Sequence, residues 1–121
     1  MKFTMDIPVG VITPGEFQTA DAAWLHKNGH DALDPFTALS FVAAATTTLK
    51  LHTNILVMAY RNPFLTAKMA ASLQVLSGGR LILGAGAGYQ KVEFEALGVD
   101  FHKRGKIFDE CIDVIRMAWA G

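Results

Sequence analysis

Residues 80–98, RLILGAGAGYQKVEFEALG, decide the reading of this chain. The run over 80–85 is apolar and too brief for a helix, so it predicts a buried strand. It leads into alternating glycines, Gly84, Gly86 and Gly88, and then into a helix from about 89 to 97 that Gly98 stops. Glycines here let the backbone approach a ligand, and unbonded N–H groups at the start of the helix suit an anion. A plain tight strand-to-helix turn accounts for the same residues. The dinucleotide fingerprint fits poorly: it needs a third glycine where Tyr89 stands, and an acid about twenty residues on, where Arg104 lies.

Upstream of this segment, Asp34-Pro35 and Asn62-Pro63 each give an N-cap followed by proline at the first helical position. They predict helices over 34–47, with Phe36, Leu39, Val42 and Ala43 on one face, and over 62–77, with Leu65, Met69, Leu73 and Leu76 on one face. Between them, LKLHTNILV over 49–57 alternates and then becomes continuously apolar, as in a strand covered on both sides at its far end. Downstream, a helix over 102–120 carries the stripe Ile107, Phe108, Cys111, Ile112, Ile115 and Trp119. The chain starts with an alternating strand over 1–12 and a long loop over 13–33. Strands alternating with helices of this length argue for an α/β fold with a parallel sheet, in one domain spanning 1–121.

Of the 121 residues, 51% are hydrophobic and 18% charged, enough to build a core, and eleven basic residues balance eleven acidic ones. No net field gathers a phosphate backbone or an anionic lipid surface, so neither nucleic acid nor membrane is expected as a partner. Charged residues interrupt every apolar stretch before it reaches the roughly 18 residues that cross a bilayer. A lone cysteine, Cys111, and an N-terminus without a signal-peptide pattern point to a cytoplasmic protein, with Cys111 a small core residue.

Few side chains suggest chemistry directly. His52 and Asn54 would share one face of the strand, and Arg61 follows its end, where α/β enzymes gather substrate groups. A hydrogen-bonded core amide is the simpler account of Asn54. His26 and His30 are four apart, but Asn28-Gly29 breaks any helix that would align them, and no metal site is expected. Neither a nucleophile elbow nor a C-x-x-C pair occurs, and no catalytic residue is assigned.

The ordered set LDPFTALSFVAAATTTLKLHTNILVMAYRNPFLTAKMAASLQVLSGGRLILGAGAGYQKVEFEALGVDFHKRG closely resembles the luciferase-like monooxygenase family of flavin- and deazaflavin-dependent oxidoreductases. The resemblance covers about residues 33–121, and MKFTMDIPVG looks like the family's first strand. It implies a TIM (β/α)8 barrel with the cofactor at its C-terminal mouth, coenzyme F-420 (deazaflavin) or FMN, and hydride transfer to or from a small organic substrate. By matching position, Asn54 and Ile55 fall on the family's bulged, non-proline cis peptide behind the cofactor ring, so a cis peptide or a β-bulge is expected there. Gly86, Ala87, Gly88 and Tyr89 fall on its phosphate-binding turn, with Ala87 where several deazaflavin members carry a hydroxyl residue.

A full barrel needs eight strands and about 250 residues. The expectation is therefore a partial barrel, the N-terminal half, truncated and lacking the family's first helix and second strand. Such a half leaves sheet edges and helix faces open. It should be a homo-oligomer, need a partner or be marginally folded, with Ile107, Phe108, Ile112 and Ile115 among the surfaces at risk. The alternative to an enzyme is a non-catalytic fragment or oligomerisation module derived from one.

Overall fold

The computed structural model describes residues 33–121. The expected strand over 1–12, nearly all of the loop over 13–33, and His26 and His30 lie outside the described residues. So do the positions at which a first helix and second strand would be missing.

Helix α1, Pro35–Ala45, begins where the Asp-Pro pair places it, with the Asp34 carboxylate accepting from the Thr37 N–H at 2.9 Å. Helix α2, Pro63–Leu76, begins likewise, with Asn62 Oδ1 accepting from the Phe64 N–H at 2.9 Å. It ends in a Schellman turn: Gly79 N–H reaches Gln74 O at 2.8 Å and Gly78 N–H reaches Val75 O at 3.1 Å. Gly78, at φ 66°, is the residue that must be left-handed there.

The two expected strands pair in parallel, but each is interrupted. Strand β1 (Leu51–His52) pairs with β3 (Leu81–Ile82), and β2 (Leu56–Val57) with β4 (Ala85–Gly86), so the expected continuous strands over 49–57 and 80–85 are corrected to two short ladders in series. The cause is a change of register. Leu51 and His52 face residues 30 positions on, whereas Leu56 and Val57 face residues 29 positions on, so the first strand carries one extra residue between the ladders. That is a β-bulge, and it reverses the alternation of faces. Leu51 and Leu56 both turn into the core although one number is odd and the other even; Ile55 is 54% exposed and Leu56 3%.

Leu51 and Leu56 meet Phe36 and Ala43 of α1, Ala67, Ala70 and Leu73 of α2, and Met58 of a short 3₁₀ turn, Met58–Tyr60. After β4 the chain forms α3 (Lys91–Ala96), a 3₁₀ turn (Phe101–Lys103) and the long α4 (Arg104–Ala120). Cys111 and Ile115 of α4 are buried, with Ile107, Phe108 and Ile112 packed against the core. Each large aliphatic side chain buried in this way contributes about 1.5–3 kcal/mol. Most of the α4 stripe therefore packs on the core, Ile115 buried and Ile107, Phe108 and Ile112 partly so, which corrects the expectation that these four form an open surface; Trp119 at its end is 49% exposed.

The expected face of α2 is corrected too. Its buried residues are Thr66, Ala67, Ala70 and Leu73, while Leu65, Met69 and Leu76 are exposed. Small side chains let α4 approach the helix backbone closely, as Trp119 shows by donating from Nε1 to the Ala67 carbonyl at 3.0 Å. Much of the uncovered apolar surface among the described residues is thus on α1 and α2, where Phe41 is 78% exposed and Phe64, Leu65, Val75 and Leu76 are also open, with Met117 of α4 exposed as well.

Behind the sheet, Arg80 is only 7% exposed and has no carboxylate partner among the described residues. Its guanidinium donates to Ser77 O at 2.6 Å, Ala43 O at 2.8 Å, Leu49 O at 3.1 Å and Thr46 Oγ1 at 2.8 Å. These oxygens cluster at the C-terminal ends of α1 and α2, where the helix dipoles favour a cation. Among the described residues no helix is long and apolar enough to cross a membrane.

Candidate functional site

The bulge sits at one end of the candidate site. Gly84 O accepts twice, from Leu56 N–H at 2.8 Å and from the Thr53 hydroxyl at 2.7 Å, so a side chain supplies one of the donors that bind the interrupted strand to its neighbour. Between those anchors the Asn54-Ile55 peptide is cis, with Asn54 at φ 23°. The sequence reading passed over Thr53; a hydroxyl residue immediately before a mid-strand asparagine is the signal that marks it.

Gly84, Gly86 and Gly88 answer to the side chains of the first strand. A Cβ on Gly84 would stand 2.6 Å from His52 Nε2, and one on Gly86 would overlap Ile55 Cδ1. Gly88, at φ 81°, fits a slot between Val57 Cγ1, 2.8 Å from a built Cβ, and the Phe94 ring edge at 2.9 Å. Packing and its left-handed φ require the glycine at 88, whereas at 84 and 86 a side chain would have to displace the ends of the exposed His52 and Ile55. The same packing brings the two expected site segments, Asn54-Ile55 and the turn over 86–89, into contact.

The turn is open on its outer side. Tyr89 is 83% exposed, and among the described residues no group accepts from the N–H of Gly88, Tyr89 or Gln90. Helix α3 starts at Lys91, later than expected, and runs for six residues, so its dipole is slight. Anion affinity at this turn would come from the free N–H groups of the loop.

Under the turn lies an aromatic cluster that the sequence reading missed. Phe94, fully buried, packs edge-to-face on Tyr60 at 4.9 Å and on Phe101 at 5.4 Å, with the Arg104 guanidinium 4.1 Å above the Phe101 ring. The Tyr60 hydroxyl donates to the Glu93 carboxylate, which is 4% exposed. No periodicity links residues this far apart in the chain. The available signal was the pairing of acid and aromatic at 93–94 right after the glycine turn.

The profile of luciferase-like monooxygenases matches residues 15–121. The chain belongs to this family. An uncharacterised protein of Mycobacterium tuberculosis strain H37Rv is 35% identical over 118 residues, covering 93% of this chain and 41% of that protein. A 5,10-methylenetetrahydromethanopterin reductase of Archaeoglobus fulgidus is 33% identical over 103 residues, 84% of this chain and 30% of the reductase. Among solved structures, a monooxygenase from Streptomyces bottropensis superposes with a TM-score of 0.73 at 31% identity, over 77% of this chain and 28% of the other. This luciferase-like chain therefore spans less than half the length of these relatives.

Two residues that drew notice in the sequence have partners within the luciferase-like chain. Arg61 pairs with Asp34 and lies 5.9 Å over the Phe36 ring, bracing the start of α1. Burial alone would raise the Asp34 carboxyl, but the Thr37 N–H and the Arg61 guanidinium outweigh it and hold the group below its ordinary value. Cys111 is buried with its Sγ 3.9 Å from Met58 O; burial, with Glu110 adding, pushes its thiol up and keeps it protonated. Among the described residues no three His, Cys, Asp or Glu side chains converge as a metal site would require.

Proposed function

We propose that this chain is the N-terminal half of a (β/α)8 barrel and carries the cofactor-facing part of a flavin- or deazaflavin-dependent oxidoreductase. The observation that carries the reading is the contact of Ile55 with Gly86, which joins the two segments the family resemblance assigns to the cofactor. Coenzyme F-420 or FMN would be held at the turn Gly86, Ala87, Gly88 and Tyr89, through the N–H groups beyond the strand, with Asn54 and Ile55 beside the ring. The residues present fit such a group: at Gly88 and Tyr89, amide donors with no acceptor among the described residues, and an exposed isoleucine as an apolar ledge. When bound, the cofactor supplies hydride transfer with a small organic substrate.

The chain's own contribution is binding and orientation. The Thr53 and Leu56 bonds to Gly84 O fix the bulge, and Val57 and Phe94 fix Gly88, so both halves of the site rest on packed elements. The archaeal relative is named a reductase, which favours reduction of the organic substrate. A cytoplasmic setting belongs to the same reading.

The exposed Phe41, Phe64, Leu65, Val75 and Leu76 favour a second reading, a non-catalytic module that associates with a second copy or with a longer relative through α1 and α2. One titration separates the two. The intact chain is titrated with FMN and riboflavin, and with F-420 and its phosphate-free deazaflavin chromophore, following fluorescence. The expected result is binding of a phosphorylated form tighter by about tenfold, a preference abolished by Ala87→Asp, whose carboxylate would repel the phosphate. Equal affinities for phosphorylated and phosphate-free forms would refute the phosphate turn, and no binding accompanied by self-association in sedimentation would favour the module.

A further inference from the structure

We propose that Tyr60 and Glu93 are positioning residues for the 86–89 turn: their hydrogen bond pins α3 to the 3₁₀ turn after β2 and thereby sets the ring of Phe94 against Gly88. The inference rests on the reading of that turn as a phosphate site and says what keeps its N–H groups in place.

The argument starts from α3 itself. Six residues make too short a helix to hold its own conformation in water, and its N-cap, Gln90, makes no side-chain capping bond. Its placement must come from side chains that reach other elements. Phe94 and Glu93 are its two buried residues, and they are adjacent in the chain. Phe94 closes one wall of the Gly88 slot, its ring atoms 2.9 and 3.0 Å from where a Cβ would sit. It cannot shift without releasing Gly88.

What stops Phe94 from shifting is largely Tyr60. The Tyr60 ring meets Phe94 edge-to-face at 4.9 Å, and its hydroxyl holds the neighbouring Glu93. A ring contact tolerates sliding, whereas a hydrogen bond to a buried carboxylate fixes distance and direction. Tyr60 also lies three residues beyond Val57, the other wall of the slot. The tie therefore couples both walls of the Gly88 slot.

The test uses the intact chain and the variants Tyr60→Phe and Glu93→Gln, with thermal melts, ligand-free nitrogen–proton correlation spectra, and affinities for FMN and riboflavin, or for F-420 and its phosphate-free chromophore. In Tyr60→Phe the amide signals of Gly88 and Tyr89 should move without ligand, and the preference for the phosphorylated form should fall by about tenfold. The affinity for the phosphate-free form should hold. Glu93→Gln, whose amide oxygen still accepts from Tyr60, should keep both the signals and the preference.

A Tyr60→Phe protein that melts cooperatively with unmoved amide signals and an unchanged preference overturns the inference. So does one with no cooperative melt, because the hydroxyl would then support the fold at large and not the turn. If the parent shows no phosphate preference but Tyr60→Phe moves the amide signals, the functional reading fails and the positioning role stands.

Discussion

Replacing Arg80 by methionine should cost about 3–5 kcal/mol, although Arg80 forms no ion pair among the described residues. The guanidinium is 7% exposed and donates to four oxygens, three of them backbone carbonyls. A hydrogen bond from a charged donor contributes about 1.5–3 kcal/mol, but four made by one group do not add independently. Methionine fills the aliphatic volume and leaves the oxygens of Ala43, Leu49 and Ser77 without their donor; each buried acceptor so stranded costs about 1–3 kcal/mol, less at the solvent-accessible Leu49, which brings the sum to about 3–5 kcal/mol. Against a total of about 5–15 kcal/mol for a domain, that is a large share. Lysine restores the charge but not the planar fork, so Arg80→Lys should lose about half as much. Urea unfolding followed by circular dichroism reads both, as a lower midpoint at constant slope. Because the partners are helix-end dipoles at short range and buried, the loss should persist in high salt. A methionine variant within about 1 kcal/mol of the parent, or one whose deficit disappears with salt, would refute the reasoning.

Two further outcomes follow from the same structure. Gly88→Ala combines a left-handed φ of 81° with overlap on Val57 and Phe94, and should destabilise by about 2–4 kcal/mol; Gly78→Ala, with open space around its Cβ, should cost about 1 kcal/mol, and the difference is measurable by thermal melts. Asp34 is held below its ordinary value in the folded chain, so its contribution is complete above the unfolded value of about 3.9 and is lost as pH falls through the folded one. Asp34→Asn should therefore flatten the acid limb of a stability–pH curve, and Asp34→Ala should cost about 0.5–2 kcal/mol at neutral pH through loss of the cap.

The elements that were legible in the sequence are those whose signals are local. Asp34-Pro35 and Asn62-Pro63 place the starts of α1 and α2 because cap and proline act within one turn. The stripe from Ile107 to Ile115 gives α4 its buried side because that helix is charged elsewhere and only one face can enter the core. In α2 the same logic fails: nearly every position is apolar, so periodicity could not choose between the leucine face and the alanine face, and the close approach of α4 decides. Composition and alternation give no sign of the broken strands, because a bulge leaves both nearly untouched; the bulged cis peptide at Asn54-Ile55 was legible through the family resemblance alone. At the site, Asn54, Ile55 and the turn over 86–89 were accessible through family resemblance. The reasons for the glycines were not, since His52, Ile55 and Val57 meet them only through the parallel pairing.

The register change between β1 and β2 makes chain length itself carry information. Surface loops commonly tolerate the gain or loss of a residue, yet here the count between His52 and Leu56 decides whether the strand is bulged or regular. Deleting one residue from that interval would leave Leu51 and Leu56 four apart, so a regular strand would still turn both into the core and keep Leu56 opposite Ala85, but the bulge that shapes the candidate site would be gone, with no side chain in the core altered. Among relatives of this chain, insertions and deletions should therefore avoid this interval even where the residues within it vary freely.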